Sequence, residues 1–158
     1  MDLKEDLKII ENSDIFKKWN KNKSYLVSCF FLDNNWQFDF YSKKIKKISS
    51  FALEENNVKI IGENSQVFQK TQKDLEELDL SKVKTKLETV LKILDQLKKE
   101  KAPLETISKK IIILQKINLP LWNISYITSS FNLLNVKINA INSKIIEQNF
   151  DSIISFKK

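Results

Sequence analysis

The sequence predicts an α+β protein of two layers. Two helix-plus-antiparallel-sheet repeats would carry their helices packed on one face of the sheet. Three observations lead there. Residues 34–42 read "NNWQFDFYS" and residues 120–128 read "PLWNISYIT", so both place Trp, polar, apolar, polar, aromatic in succession. A helical-period apolar stripe precedes each of these stretches. Period-two runs separated by turn residues follow each of them.

The first stripe covers residues 3–22. Leu3, Leu7 and Ile10 keep one helical face, and Ile15, Phe16 and Trp19 continue it, with Asn12 and Ser13 as a break or re-cap. Residues 25–32, "YLVSCFFL", form a short apolar run that reads as a buried strand. "DNN" at 33–35 is a turn signal, since Asp and Asn tolerate left-handed backbone. Trp36, Phe38 and Phe40 then alternate with Gln37 and Asp39, which leaves one sheet face buried and the other wet. Residues 48–53 and 58–61 supply two more strands around the "EENN" turn. Residues 63–82 are a polar connector, with room for a short strand at Val67–Phe68 and a helical turn at 75–78.

In the second half, Thr85 and Glu88 have the spacing of a capping box. Leu87, Val90, Leu91, Leu94 and Leu97 follow at helical spacing until Pro103, which cannot donate a helical hydrogen bond. Strands are then expected at 111–114, around Trp122–Tyr126, at 134–140 and from Ile145 onward, with Asn142–Ser143 as a two-residue hairpin turn. The organisation expected is a repeat at 1–62, a connector at 63–82 and a second repeat at 83–158. One unit alone would have a thin core; joining two would also protect a strand edge.

"LDLSKVKTKLETVLKIL", "IIILQKINLPLWNISYIT" and "LNVKINAINSKII" together resemble the PepSY-like domains, clearly in the C-terminal half and weakly in the N-terminal half. The family's last hairpin often reads v-x-V-D-A-x-T-G-x-V. Here "VKINAINSKI" aligns with it, Asn139 standing where Asp is common and Ser143 where Gly is common. The resemblance implies a non-catalytic module of a kind associated with peptidase propeptides and thought to inhibit or regulate peptidases. Many such domains are extracytoplasmic or attached to membrane proteins.

The chemistry available is narrow. There is no His, so Ser–His, Cys–His and histidine-ligated metal sites are excluded. Cys29 is the one cysteine and reads as a buried thiol. Gly62 is the one glycine, so no phosphate-binding glycine loop can be written. No enzyme activity, cofactor or metal is expected. Asp74, Glu76, Glu77 and Asp79 read as a solvated connector rather than a cation site. The net charge is +7, but all 27 basic residues are Lys. The planar Arg fork that reads bases and clamps phosphates is therefore missing.

The candidate partner-binding residues are Gln37, Asp39, Asn123, Ser125, Lys137 and Asn139, all expected on the polar sheet face. The bland alternative is an ordinary wet face of an antiparallel sheet. The function expected is a protein- or peptide-binding module, inhibitor-like toward a peptidase or other partner. The alternatives are an assembly subunit that self-associates through its sheet and a non-specific Lys-driven nucleic-acid binder. No secretory leader or span of about twenty apolar residues is visible, so the chain reads as soluble. It would be cytoplasmic if complete, and extracytoplasmic if a leader was removed.

Overall fold

The computed structural model describes residues 2–67 and 73–153. Two short helices, α1 (Leu3–Asn12) and α2 (Asp14–Trp19), precede four strands: β1 (Tyr25–Leu32), β2 (Asn35–Ser42), β3 (Lys47–Glu54) and β4 (Asn57–Gln66). A 3-10 turn (Leu80–Lys82) and α3 (Leu87–Lys101) lead into β5 (Ile107–Ile117), β6 (Leu119–Thr128), β7 (Asn132–Asn139) and β8 (Ile145–Ser152).

The strands form one eight-stranded antiparallel sheet in the order β4-β3-β2-β1-β5-β6-β7-β8. This overturns the expected fold class of two helix-plus-sheet repeats. The helices are few and short, and the sheet is continuous across the middle of the chain. The reason lies in β1 and β5. Both are apolar on successive residues, which suits strands lying inside a sheet rather than at its edge. They pair antiparallel through Ser28–Gln115, Cys29–Leu114, Phe30–Ile113 and Phe31–Ile112. The polar strands β4 and β8 take the two edges.

Local signals explain the element ends. Ser13 breaks the first helical stripe: its backbone is extended, and its hydroxyl accepts from the Phe16 N–H to cap α2. Asp33 and Asn34, with φ of 52° and 66°, make the β1–β2 turn, and Glu55 and Asn56 (49° and 64°) make the β3–β4 turn. Two successive left-handed residues match the twist of a tight hairpin. Asn118 alone, at φ 67°, reverses β5 into β6. The Val67–Phe68 expectation lies partly outside the described residues. The helical turn expected at 75–78 does not form, since those residues have no regular secondary structure, and the short turn comes later, at Leu80–Lys82.

The core lies between the sheet and the helices. Phe38, Cys29, Leu114, Trp122 and Ile138 cross the sheet as one buried row, and Val90 and Leu94 of α3 are buried in the same cluster. Phe16 and Trp19 of α2 pack on Phe40 and Phe51, with ring centroids 4.8–6.1 Å apart. Cys29 is fully buried, and burial pushes its thiol well above its ordinary range, with the nearby Asp39 adding to the shift.

The capping box expected at Thr85 and Glu88 does not form. The N-cap is Lys86, which makes no side-chain cap. Thr85 is buried, and its hydroxyl meets the Ser143 hydroxyl at 2.8 Å while its carbonyl accepts the Trp122 indole N–H at 3.1 Å. Its side chain is thus used to dock the start of α3 on the sheet.

Leu94→Ala removes a fully buried side chain from the helix–sheet interface. It is expected to lower unfolding free energy by about 2–5 kcal/mol in urea titrations. Cys29 is expected to react with a thiol reagent only as fast as the protein opens, which a labelling time course under native conditions checks.

Candidate functional site

The side chains of α1, α2 and α3 pack on one face of the sheet, and among the described residues no helix covers the opposite face. Strand alternation decides what that open face displays. Phe30 and Leu32 of β1 and Ile111 and Ile113 of β5 are half-buried, and none belongs to the helix-side core. Phe30 stands directly opposite Ile113. An apolar strip therefore occupies the middle of the face.

A polar network flanks this strip on each side. On the β2 side, Asp39 accepts hydrogen bonds from the Ser28 hydroxyl (2.8 Å), the Gln37 amide (2.9 Å) and the Ser50 hydroxyl (2.6 Å). On the β6 side, the Asn135 amide donates to Asn123 Oδ1 (2.7 Å) and to the Ser125 hydroxyl (2.9 Å). Further out, Lys137 pairs with Glu147 at 3.1 Å, and Asn149 donates to the same carboxylate. These bonds fix the side chains, and groups held in place in this way lose less entropy in any further contact.

Five of the six candidate residues thus sit on this face: Gln37 and Asp39 in one network, Asn123 and Ser125 in the other, and Lys137 at its border. They form two groups separated by the apolar strip. Asn139 has a different task. Its side-chain oxygen accepts from the N–H groups of Ile141 (2.8 Å) and Asn142 (3.3 Å), capping a turn that spans residues 140–144. That turn is wider than the two-residue hairpin expected at Asn142–Ser143. The strip itself was missed, although its signal was present: an unbroken apolar run in a strand must send every second side chain to each face.

The connector closes one end of the face. The Leu78 N–H donates to the Leu26 carbonyl at 2.8 Å, where β1 bulges between Leu26 and Ser28. Tyr25 donates to the Leu75 carbonyl (2.5 Å) and Tyr41 to the Asp74 carboxylate (2.8 Å), and Lys46 pairs with Asp74. Glu76 accepts from the Asn118 N–H at 2.7 Å. Most of the connector carboxylates are therefore engaged rather than simply solvated. Lys46 first, then Tyr41, hold Asp74 below the usual carboxylate range. Burial first, then the Asp74 bond, push Tyr41 up to about 12. A cleft of about 580 Å³ opens beside this segment between Lys23, Lys43, Glu77 and Lys116. Among the described residues no group of three or more acidic or Cys side chains is placed to hold a metal ion. Among the same residues no helix is long and apolar enough to cross a membrane.

No protein-family model matches the chain, and no curated protein matches it. A solved structure that is similar is the crystal structure of a "putative lipoprotein" from Clostridium difficile 630. The two share 14% identity and a TM-score of 0.52, over 87% of this chain and 89% of that one. At that identity the likeness is one of fold.

Asp74→Asn tests the connector clamp. A depressed folded pKa gives stability that is present above the unfolded value, about 3.9, and lost as pH falls toward the folded value. The wild type is expected to lose stability on acidification below about pH 4 more steeply than Asp74→Asn, in melting curves taken across that range.

Proposed function

We propose that this protein is a non-catalytic binding module that receives a partner protein on the open face of its sheet. The observation that carries this reading is the apolar strip of Phe30, Leu32, Ile111 and Ile113, framed by two pre-formed hydrogen-bond networks. An apolar centre with a polar rim is the anatomy of a protein interface. The partner segment would offer apolar side chains to the strip and hydrogen-bonding groups to Asp39 and Asn123. The resemblance of the C-terminal half to PepSY-like domains favours a peptidase or another regulated protein as that partner. The description of the structural neighbour as a lipoprotein favours an extracytoplasmic setting.

Self-association is the second reading, and the edges favour it. Ile60 and Ile61 on β4 and Ile145 and Ile146 on β8 are exposed apolar residues on the two edge strands of the sheet. Such edges invite a further strand. A Lys-driven nucleic-acid role would instead show binding that collapses as salt rises.

A photo-crosslinking residue at Ile113, compared with one at the fully exposed Leu104, separates these readings in the native host. The expected result is an adduct with a different protein from position 113 alone, lost in Phe30→Glu without a fall in melting temperature. Equal capture from both positions, or none from 113, overturns the open-face reading. An adduct with a second copy turns it to self-association.

A further inference from the structure

A second concavity lies on the opposite side of the protein, between the first turns of α1 and α3. It holds about 550 Å³, inside the range of small-molecule sites. Trp36, Leu80, Leu91, Leu114 and Trp122 supply apolar walls. Lys4, Lys84 and Lys86 stand at its edge and outnumber Asp2 and Glu88. Asp2 is moreover occupied, since it accepts the Lys4 N–H to cap α1.

Two further features concern polar groups of the residues that line the cleft. Trp36 is only 7% exposed, and its indole N–H finds no acceptor among the described residues. The Trp122 indole N–H, by contrast, is taken by the Thr85 carbonyl. The start of α3 also borders the cleft, and no side chain caps it. A helix N-terminus carries partial positive charge and N–H groups without intrahelical partners. The cleft thus combines an apolar interior, a free donor and a cationic mouth.

We propose that this cleft binds a small amphiphile with an anionic head, and specifically a free medium-chain carboxylic acid. The chain would lie against Trp36, Leu91, Leu114 and Trp122. The carboxylate would sit at the mouth, neutralised by Lys86 and the α3 N-terminus and within reach of the Trp36 N–H. The site is separate from the open sheet face and does not depend on the partner-binding reading.

The test is titration calorimetry of the whole chain with monomeric decanoate, with decanol as the uncharged comparison. Saturable decanoate binding is expected at concentrations below about 1 mM, with decanol at least about tenfold weaker. Trp36→Phe keeps an aromatic ring and removes the donor, and is expected to weaken decanoate by about tenfold. Lys86→Glu is expected to weaken it by a similar factor, and Leu91→Trp, which fills the cleft, to abolish it. Lys86→Glu lies on the surface and keeps the test open if Leu91→Trp fails to fold. Absence of saturable binding, equal affinity for decanol, or unchanged affinity in Lys86→Glu and Trp36→Phe overturns the proposal. Binding to phosphatidylglycerol vesicles without binding to monomeric decanoate overturns it too, in favour of a lipid surface.

Discussion

The pairing of β1 with β5 is the contact on which the rest of this protein depends. It spans only four residue pairs, from Ser28–Gln115 to Phe31–Ile112. Yet it joins β4-β3-β2-β1 to β5-β6-β7-β8 and makes one sheet of eight strands. Without it, two central apolar strands would each present an unpaired edge. At one end the pairing gives way to a bulge in β1, and there the Leu26 carbonyl takes its hydrogen bond from Leu78 instead. The connector therefore completes the seam, and its carboxylates are held by Tyr41, Lys46 and the Asn118 N–H for that structural reason.

The same seam divides the work of the two faces. On one, Cys29 and Leu114 enter the core beneath the helices; on the other, Phe30 and Ile113 remain half-buried, with no helix above them among the described residues. Adjacent residues on β1 and β5 thus face the core and the open side in turn. The Asp39 and Asn135 networks belong to the open side, and the Thr85–Trp122 bond belongs to the helix side. The helix side is incompletely filled near the start of α3, where the cleft opens between Trp36 and Trp122.

Much of the local structure was legible in the residues. The break at Ser13, the turns at Asp33–Asn34 and Glu55–Asn56, and the stripe through Val90, Leu94 and Leu97 follow from capping, left-handed tolerance and helical period. Five of the six polar positions face the open side because alternation in a strand is strict. The two-residue turn at Asn142–Ser143 and the capping box at Thr85 were misread for one reason. Whether a residue suited to a local cap takes that role, and for which turn, depends on what the fold brings beside it. Asn139 caps a wider turn, while Thr85 meets Ser143 and Trp122 across the sheet.

By itself, then, the sequence determined the kind of most segments and the limits of its chemistry. Period, turn residues and proline act within a few positions, and a chain with no His and a single Cys has no histidine-ligated or thiolate-cluster chemistry to offer. Only the tertiary structure decided which strands are neighbours, and hence that one sheet replaces two repeats. Residues as distant as Ser28 and Gln115 must meet for that, and no local pattern records the meeting. The apolar strip, the connector clamp and the Trp-lined cleft all come into being through such long-range pairings.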